Sequence, residues 1–130
     1  MRAESAQFLI QMARDVVQVC RVEDGATTGL WMNITGGPLF KPSGRDAYPA
    51  FWIRGFALSV ESGLFSQGEI RHALWLIAST QPGAPIRFPN GSFVPSHAIA
   101  DHILFDGTPV FLPGTCNPAD QGGIWGVQPP

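Results

Sequence analysis

The stretch Tyr48-Pro-Ala-Phe-Trp-Ile-Arg-Gly-Phe-Ala-Leu-Ser59 decides how this chain is read. An aromatic cluster, Tyr48, Phe51 and Trp52, leads into a run that is apolar on nearly every side: Phe51, Trp52, Ile53, Phe56, Ala57, Leu58 and Val60. A helix without a polar face belongs inside a protein. The pattern therefore predicts a buried helix over about Ala50 to Ser62, stopped near Gly63. One cation, Arg54, stands in its first turn among apolar and small neighbours. A guanidinium in such a place needs a polar partner, because an unpaired buried charge costs several kcal/mol. Two partners fit the residue types: a distant core carboxylate, or the hydroxyls of a sugar whose C–H faces the aromatic rings cover.

On either side of this run the chain reads as helical. Ser5 to Val19 shows one apolar stripe of Phe8, Met12, Val16 and Val19, with Leu9, Ala13 and Val17 beside it. Gln7, Gln11, Arg14 and Gln18 take the opposite side, as an amphipathic helix requires. The turn cluster Asp24-Gly-Ala-Thr-Thr-Gly29 ends it, and a Gly- and Pro-rich segment from Leu30 to Pro49 follows. Long segments of that kind inside a compact domain usually carry function. A third helix starts at Ser66, where Ser66-Gln-Gly-Glu69 matches a capping box. Ile70, Ala73, Leu74, Ile77 and Ala78 form its inward stripe, and Pro82 closes it. The second and third helices then make an antiparallel αα-hairpin across a short Gly-Leu-Phe link.

After Gln81 the composition shifts to Pro and Gly. Ile86-Arg-Phe, a Pro89-Asn-Gly91 turn and Phe93-Val94 predict a small β-hairpin, since Asn-Gly is a favoured tight-turn pair. His97 to Leu104 fits a short helix or an extended segment. Asp106-Gly107 reads as a turn before a strand-like Pro109-Val-Phe-Leu112. The tail 114–130 has no periodicity.

The segment Gly44-Arg-Asp-Ala-Tyr-Pro-Ala-Phe-Trp-Ile-Arg-Gly-Phe-Ala-Leu58 resembles the first substrate-contact segment of the six-hairpin glycosidases, the (α/α)6-toroid group with glucoamylase-like and trehalase-like members. Val94 to Thr115 is similar to the hairpin that follows the second helix pair in bacterial members, and the resemblance spans most of residues 25–130. It implies a mainly α fold: αα-hairpins of an incomplete toroid, with small β-hairpins in the C-terminal part. A toroid has twelve helices and this chain has about three. The expectation is thus a single domain over 1–130, helical in 5–81 and loop-and-hairpin in 82–130, forming the N-terminal part of a larger catalytic domain. Such a piece leaves an apolar face exposed, to be covered by the remainder of the enzyme or by a second copy. Gly55 stands where the group's Arg-Asp step has its acidic residue.

The resemblance implies a carbohydrate substrate, with Tyr48 and Trp52 stacking on the sugar, Arg54 contacting hydroxyls, and Asp101 or Asp106 reaching in from the later loop. Glycoside hydrolysis needs two carboxyl groups, about 5–5.5 Å apart in retaining enzymes and about 6.5–9.5 Å apart in inverting ones. The candidate carboxylates in this chain are Asp46, Glu61, Asp101, Asp106 and Asp120. Glu69 serves its cap, and Asp15, Glu23 and Asp24 lie on or beside the polar face of the first helix. The resemblance places the acid/base pair outside this chain. Asp106 has a plainer role too, as the Asp of an Asp-Gly turn.

Other chemistries find less support. His97-x3-Asp101-His102-x3-Asp106 would pair its members on a helix, but the two pairs do not share a face, so no metal site is expected. No Gly-x-Ser-x-Gly nucleophile is present, and Gly36-Gly37-Pro38 is a turn rather than a phosphate loop. No cofactor is implied. Cys20 and Cys116 fit no metal spacing; Cys20 reads as a small core residue on an apolar helix face. His72 is expected at the surface. A net charge of −2 with a single lysine, Lys41, argues against a nucleic-acid partner, and no apolar run is long enough for a membrane span. The N-terminus lacks signal-peptide character, which fits a cytoplasmic chain or one whose signal has been removed. The competing reading from a different class is a non-catalytic helical association module that binds a partner protein.

Overall fold

In a computed structural model of the chain, the structure describes residues 2–42 and 48–112. The first element, α1 (Ala3–Cys20), is an 18-residue helix whose only buried residue is Cys20. The chain leaves it through β1 (Arg21–Val22), then makes the hairpin β2 (Thr27–Thr28) and β3 (Trp31–Met32). Next comes β4 (Leu39–Phe40), antiparallel to β1 with Arg21 opposite Phe40 and Val22 opposite Leu39. Gly29 has φ 58° in the two-residue turn between β2 and β3, a conformation that costs glycine little.

The decisive stretch divides between two kinds of structure. Phe51–Trp52 is a strand, β5, and only Ile53–Ser59 is helical, as α2, followed by a 3-10 turn over Val60–Ser62. Gly63 ends the turn in the left-handed region at φ 71°. The helix stop thus falls at Gly63 as the sequence indicates. The apolar run upstream of Ile53, however, is buried by sheet pairing rather than by helix packing. A continuous apolar run fits a fully buried strand as well as a buried helix, which is why its period does not separate the two.

The third helix, α3 (Gln67–Ser79), begins with the predicted capping box: the Ser66 hydroxyl accepts from the Glu69 N–H, and the Glu69 carboxylate accepts from the Ser66 N–H at 2.8 Å. Beyond it β6 (Ile86–Arg87) and β7 (Phe93–Val94) form the predicted hairpin, with Ile86 opposite Val94 and Arg87 opposite Phe93. Finally β8 (His102–Ile103) and β9 (Pro109–Val110) join β5 in a three-stranded sheet of order β5-β8-β9, antiparallel throughout.

A mainly α architecture of αα-hairpins is therefore the wrong description. Among the described residues there are three α-helices, one of seven residues, set among several small sheets. The core explains why. It gathers Val22, Leu39 and Phe40 from β1 and β4, Phe51 and Ile103 from β5 and β8, Ile53 and Phe56 from α2, and Ala73 and Leu76 from α3, with Ala100 and Phe105. Phe51, Ile103, Phe105 and Leu39 are wholly enclosed. Phe56 lies edge-on to Phe51 at 5.2 Å between ring centres, so α2 is held by a strand residue of the three-stranded sheet. Helices α2 and α3 share a mixed core instead of building a helical layer.

Candidate functional site

Pairing of β5 with β8 places Trp52 opposite His102. Their rings stack, with centres 4.3 Å apart and planes within 22°. The His102 Nδ1 lies 2.8 Å from an oxygen of the Asp101 carboxylate, and both side chains are half-buried. Asp101 is fixed in turn by the sheet edge, where its N–H donates to the carbonyl of Val110 at 3.0 Å. An indole face, an imidazole and a carboxylate thus form one series. The indole Nε1–H of Trp52 is buried and has no acceptor among the described residues, a donor left at a cost of about 1–3 kcal/mol.

Tyr48 completes the group. Its ring stands edge-on to Trp52, 6.1 Å away at 87°, and 61% of the residue is exposed. Its backbone φ is +50°, a left-handed conformation that is strained for a bulky aromatic residue. The neighbouring Ala50 N–H donates to the Tyr48 carbonyl at 2.7 Å, closing a tight turn into β5.

The remaining sugar-contact candidates are placed differently. Arg54, expected to be enclosed by apolar neighbours, is exposed at the start of α2, because the strand–helix junction at Trp52–Ile53 turns position 54 outward. Asp106 is exposed, and its Oδ1 accepts from the Thr108 N–H at 2.9 Å, so it closes the turn before β9. Beside Trp52 runs an apolar groove of about 400 Å³ between the C-terminal half of α1 and α2, lined by Val16, Cys20, Phe40, Gly55, Leu58 and Phe65 among others. Asp46, Asp120, Cys116 and the tail 114–130 lie outside the described residues.

A second polar cluster escaped the sequence reading. Asn33 is fully buried; its amide donates to the carbonyls of Val22 and Gly37, and its oxygen accepts from the N–H and hydroxyl of Thr35. The Thr35 hydroxyl lies 3.1 Å from His72 Nε2, and Asp24 caps the loop by accepting from the Gly36 N–H. His72 is thus half-buried rather than at the surface. Burial lowers its pKa below the ordinary value of 6.5, and the Asp24 carboxylate partly offsets that. Arg21 pairs with Glu23 and with Glu69, so Glu69 serves an ion pair and a helix cap together. Nearby, Lys41 is buried and donates to the Thr28 hydroxyl at 3.1 Å. Asn33 and Lys41 gave no sequence signal, since their burial depends on loops closing over long separations.

Cys20 is a buried free thiol. Among the described residues no three His, Cys, Asp or Glu side chains gather as a metal site would require, and the His97–Asp106 stretch is not helical but runs through turns and the strand His102–Ile103. No helix among the described residues is long and apolar enough to cross a membrane. These features define a small α+β domain with an aromatic–imidazole–carboxylate group across the β5–β8 pair of its three-stranded sheet. No protein-family profile, curated sequence or solved structure matches the chain.

Proposed function

We propose that the chain contributes a sugar-contacting surface to a glycoside-processing protein, with the acid and base carboxylates supplied from outside it. One observation carries this reading: Tyr48 is held at φ +50° and left 61% exposed, edge-on to a half-buried Trp52. Strain of that kind persists where function requires the geometry, and an exposed ring gives little to folding. An exposed aromatic ring covers the C–H face of a pyranose. The Asp101–His102 pair, stacked under Trp52, offers a carboxylate and an imidazole to its hydroxyls. Arg54, exposed two residues after Trp52, supplies guanidinium donors from α2. Asp106 has no part in it, since its carboxylate closes a turn.

Titration of the protein with a panel of gluco-, manno- and xylo-oligosaccharides, followed by tryptophan fluorescence and amide chemical shifts, tests the reading. One member should perturb Trp52 and the β5–β8 amides. Tyr48→Ala should then weaken binding by at least about tenfold, the equivalent of about 1.4 kcal/mol, while the melting temperature stays unchanged because the ring is exposed. If no oligosaccharide moves those resonances, or if Tyr48→Ala binds as well as the parent, the surface does not contact sugar.

A further inference from the structure

The helix α1 carries far more apolar surface than its own domain covers. Phe8, Leu9, Met12, Val16 and Val19 are 64%, 51%, 47%, 59% and 51% exposed. At 3.6 residues per turn these five fall within about 100° of arc. Val17, which packs on the core, and the buried Cys20 border the stripe on one side, about 20–80° beyond Leu9 on the helix circumference. The polar residues Gln7, Gln11, Arg14 and Gln18 occupy a third, separate arc. The stripe is therefore exposed along most of a helix of about 27 Å, with Val16 also forming the rim of the groove toward α2.

From the spacing of this stripe we infer that α1 pairs with α1 of a second copy of the chain. Leu9, Met12, Val16 and Val19 stand three, four and three residues apart, the a/d repeat of a helix–helix seam. An antiparallel crossing centred on Arg14 sets Leu9 of one copy against Val19 of the other, and Met12 against Val16. Each layer then combines one long and one β-branched side chain, and the two helix dipoles oppose. The area is adequate. Five half-exposed side chains of roughly 60–120 Å² each remove about 400–500 Å² per copy, close to the total of about 1,000 Å² that marks a specific interface. The helix gains from such a partner, because in proteins most helical stability comes from packing an amphipathic face. Charge does not oppose the contact, since no Lys, Arg, Asp or Glu stands at any of the five positions. The inference is independent of the sugar-contact reading, which concerns the β5–β8 pair.

Sedimentation velocity of the full chain from micromolar to submillimolar concentration tests it, with far-ultraviolet circular dichroism on the same samples. The parent should form a dimer and lose helical signal on dilution. The double variant Leu9→Glu/Val16→Glu should weaken association by at least about a hundredfold while keeping the aromatic circular dichroism of the core. Leu74→Glu, at an exposed apolar position on α3, should dimerise as the parent does. A parent that stays monomeric at every concentration overturns the inference. So does a double variant that associates like the parent, or a Leu74→Glu variant that dissociates equally.

Discussion

His72 shows how much a single side chain settles in this fold. It closes the buried Asn33–Thr35–Gly37 loop from the side of α3, and a methyl group placed on Gly37 would meet its ring at 2.6–2.9 Å. Burial holds its pKa below 6.5, so as pH falls the unfolded chain takes up this proton before the folded one does. The contribution of His72 to stability is therefore complete above about pH 6.5 and is lost as pH falls from there toward its folded pKa. Melting temperatures measured across pH 7.5 to 5 should fall more steeply for the parent than for His72→Gln, which keeps a group able to meet Thr35 and does not titrate. Equal slopes would place the ring in water. Gly37→Ala should destabilise by about 1–3 kcal/mol at neutral pH, because the ring must leave its bond to Thr35 to make room. The same displacement should flatten the pH dependence, and this links the two measurements.

At the scale of elements, α3 is fixed at its start by Glu69, whose two oxygens have different tasks: one receives the Ser66 N–H and the other pairs with Arg21 of β1. Ser66→Ala should cost about 1 kcal/mol, the usual value of a lost cap. Glu69→Ala loses cap and ion pair together and should cost about 2 kcal/mol. Glu69→Gln keeps an acceptor for the cap and should fall between the two; chemical denaturation of the three variants orders them. The cap itself was legible in the sequence because its parts lie three residues apart. So were the Gly63 stop, the Asn90–Gly91 hairpin and the Asp106 turn, all of them local chemistry. The Arg21–Glu69 pair was not, since its ends lie 48 residues apart. Phe51–Trp52 read as helix because two-residue strands are too short to show a period of two. The candidate site divided in the same way. Tyr48, Trp52 and Asp101 were named from the family resemblance, but the stacking of Trp52 on His102 depends on a strand pairing that no local pattern encodes.

Across the whole molecule, burial and apolar exposure are unevenly divided. The core draws on β1, β4, β5, β8, α2 and α3, whereas among the described residues α1 meets it near its C-terminal end, chiefly through Val17 and Cys20. Exposed apolar side chains also occur at the β2–β3 turn, where Leu30 is fully exposed, and on α3 at Leu74 and Trp75. The second helix, apolar on nearly every side in the sequence, is not where most of this exposure lies. Leu58 is indeed 76% exposed there, but α1 carries the larger share. Removing residues 2–15 therefore takes away surface and no core. The shortened chain should unfold cooperatively, with a melting temperature within a few degrees of the parent measured at high dilution, since a loss of about 1 kcal/mol shifts a domain of this size by about 4 °C. At high concentration the two should diverge. The parent gains from association, as any process that engages only the folded state raises apparent stability, and the shortened chain does not. Differential scanning calorimetry at two concentrations distinguishes the cases. A shortened chain that has lost its cooperative transition at both would make α1 part of the core, and its exposed stripe would then have to be covered within a single copy.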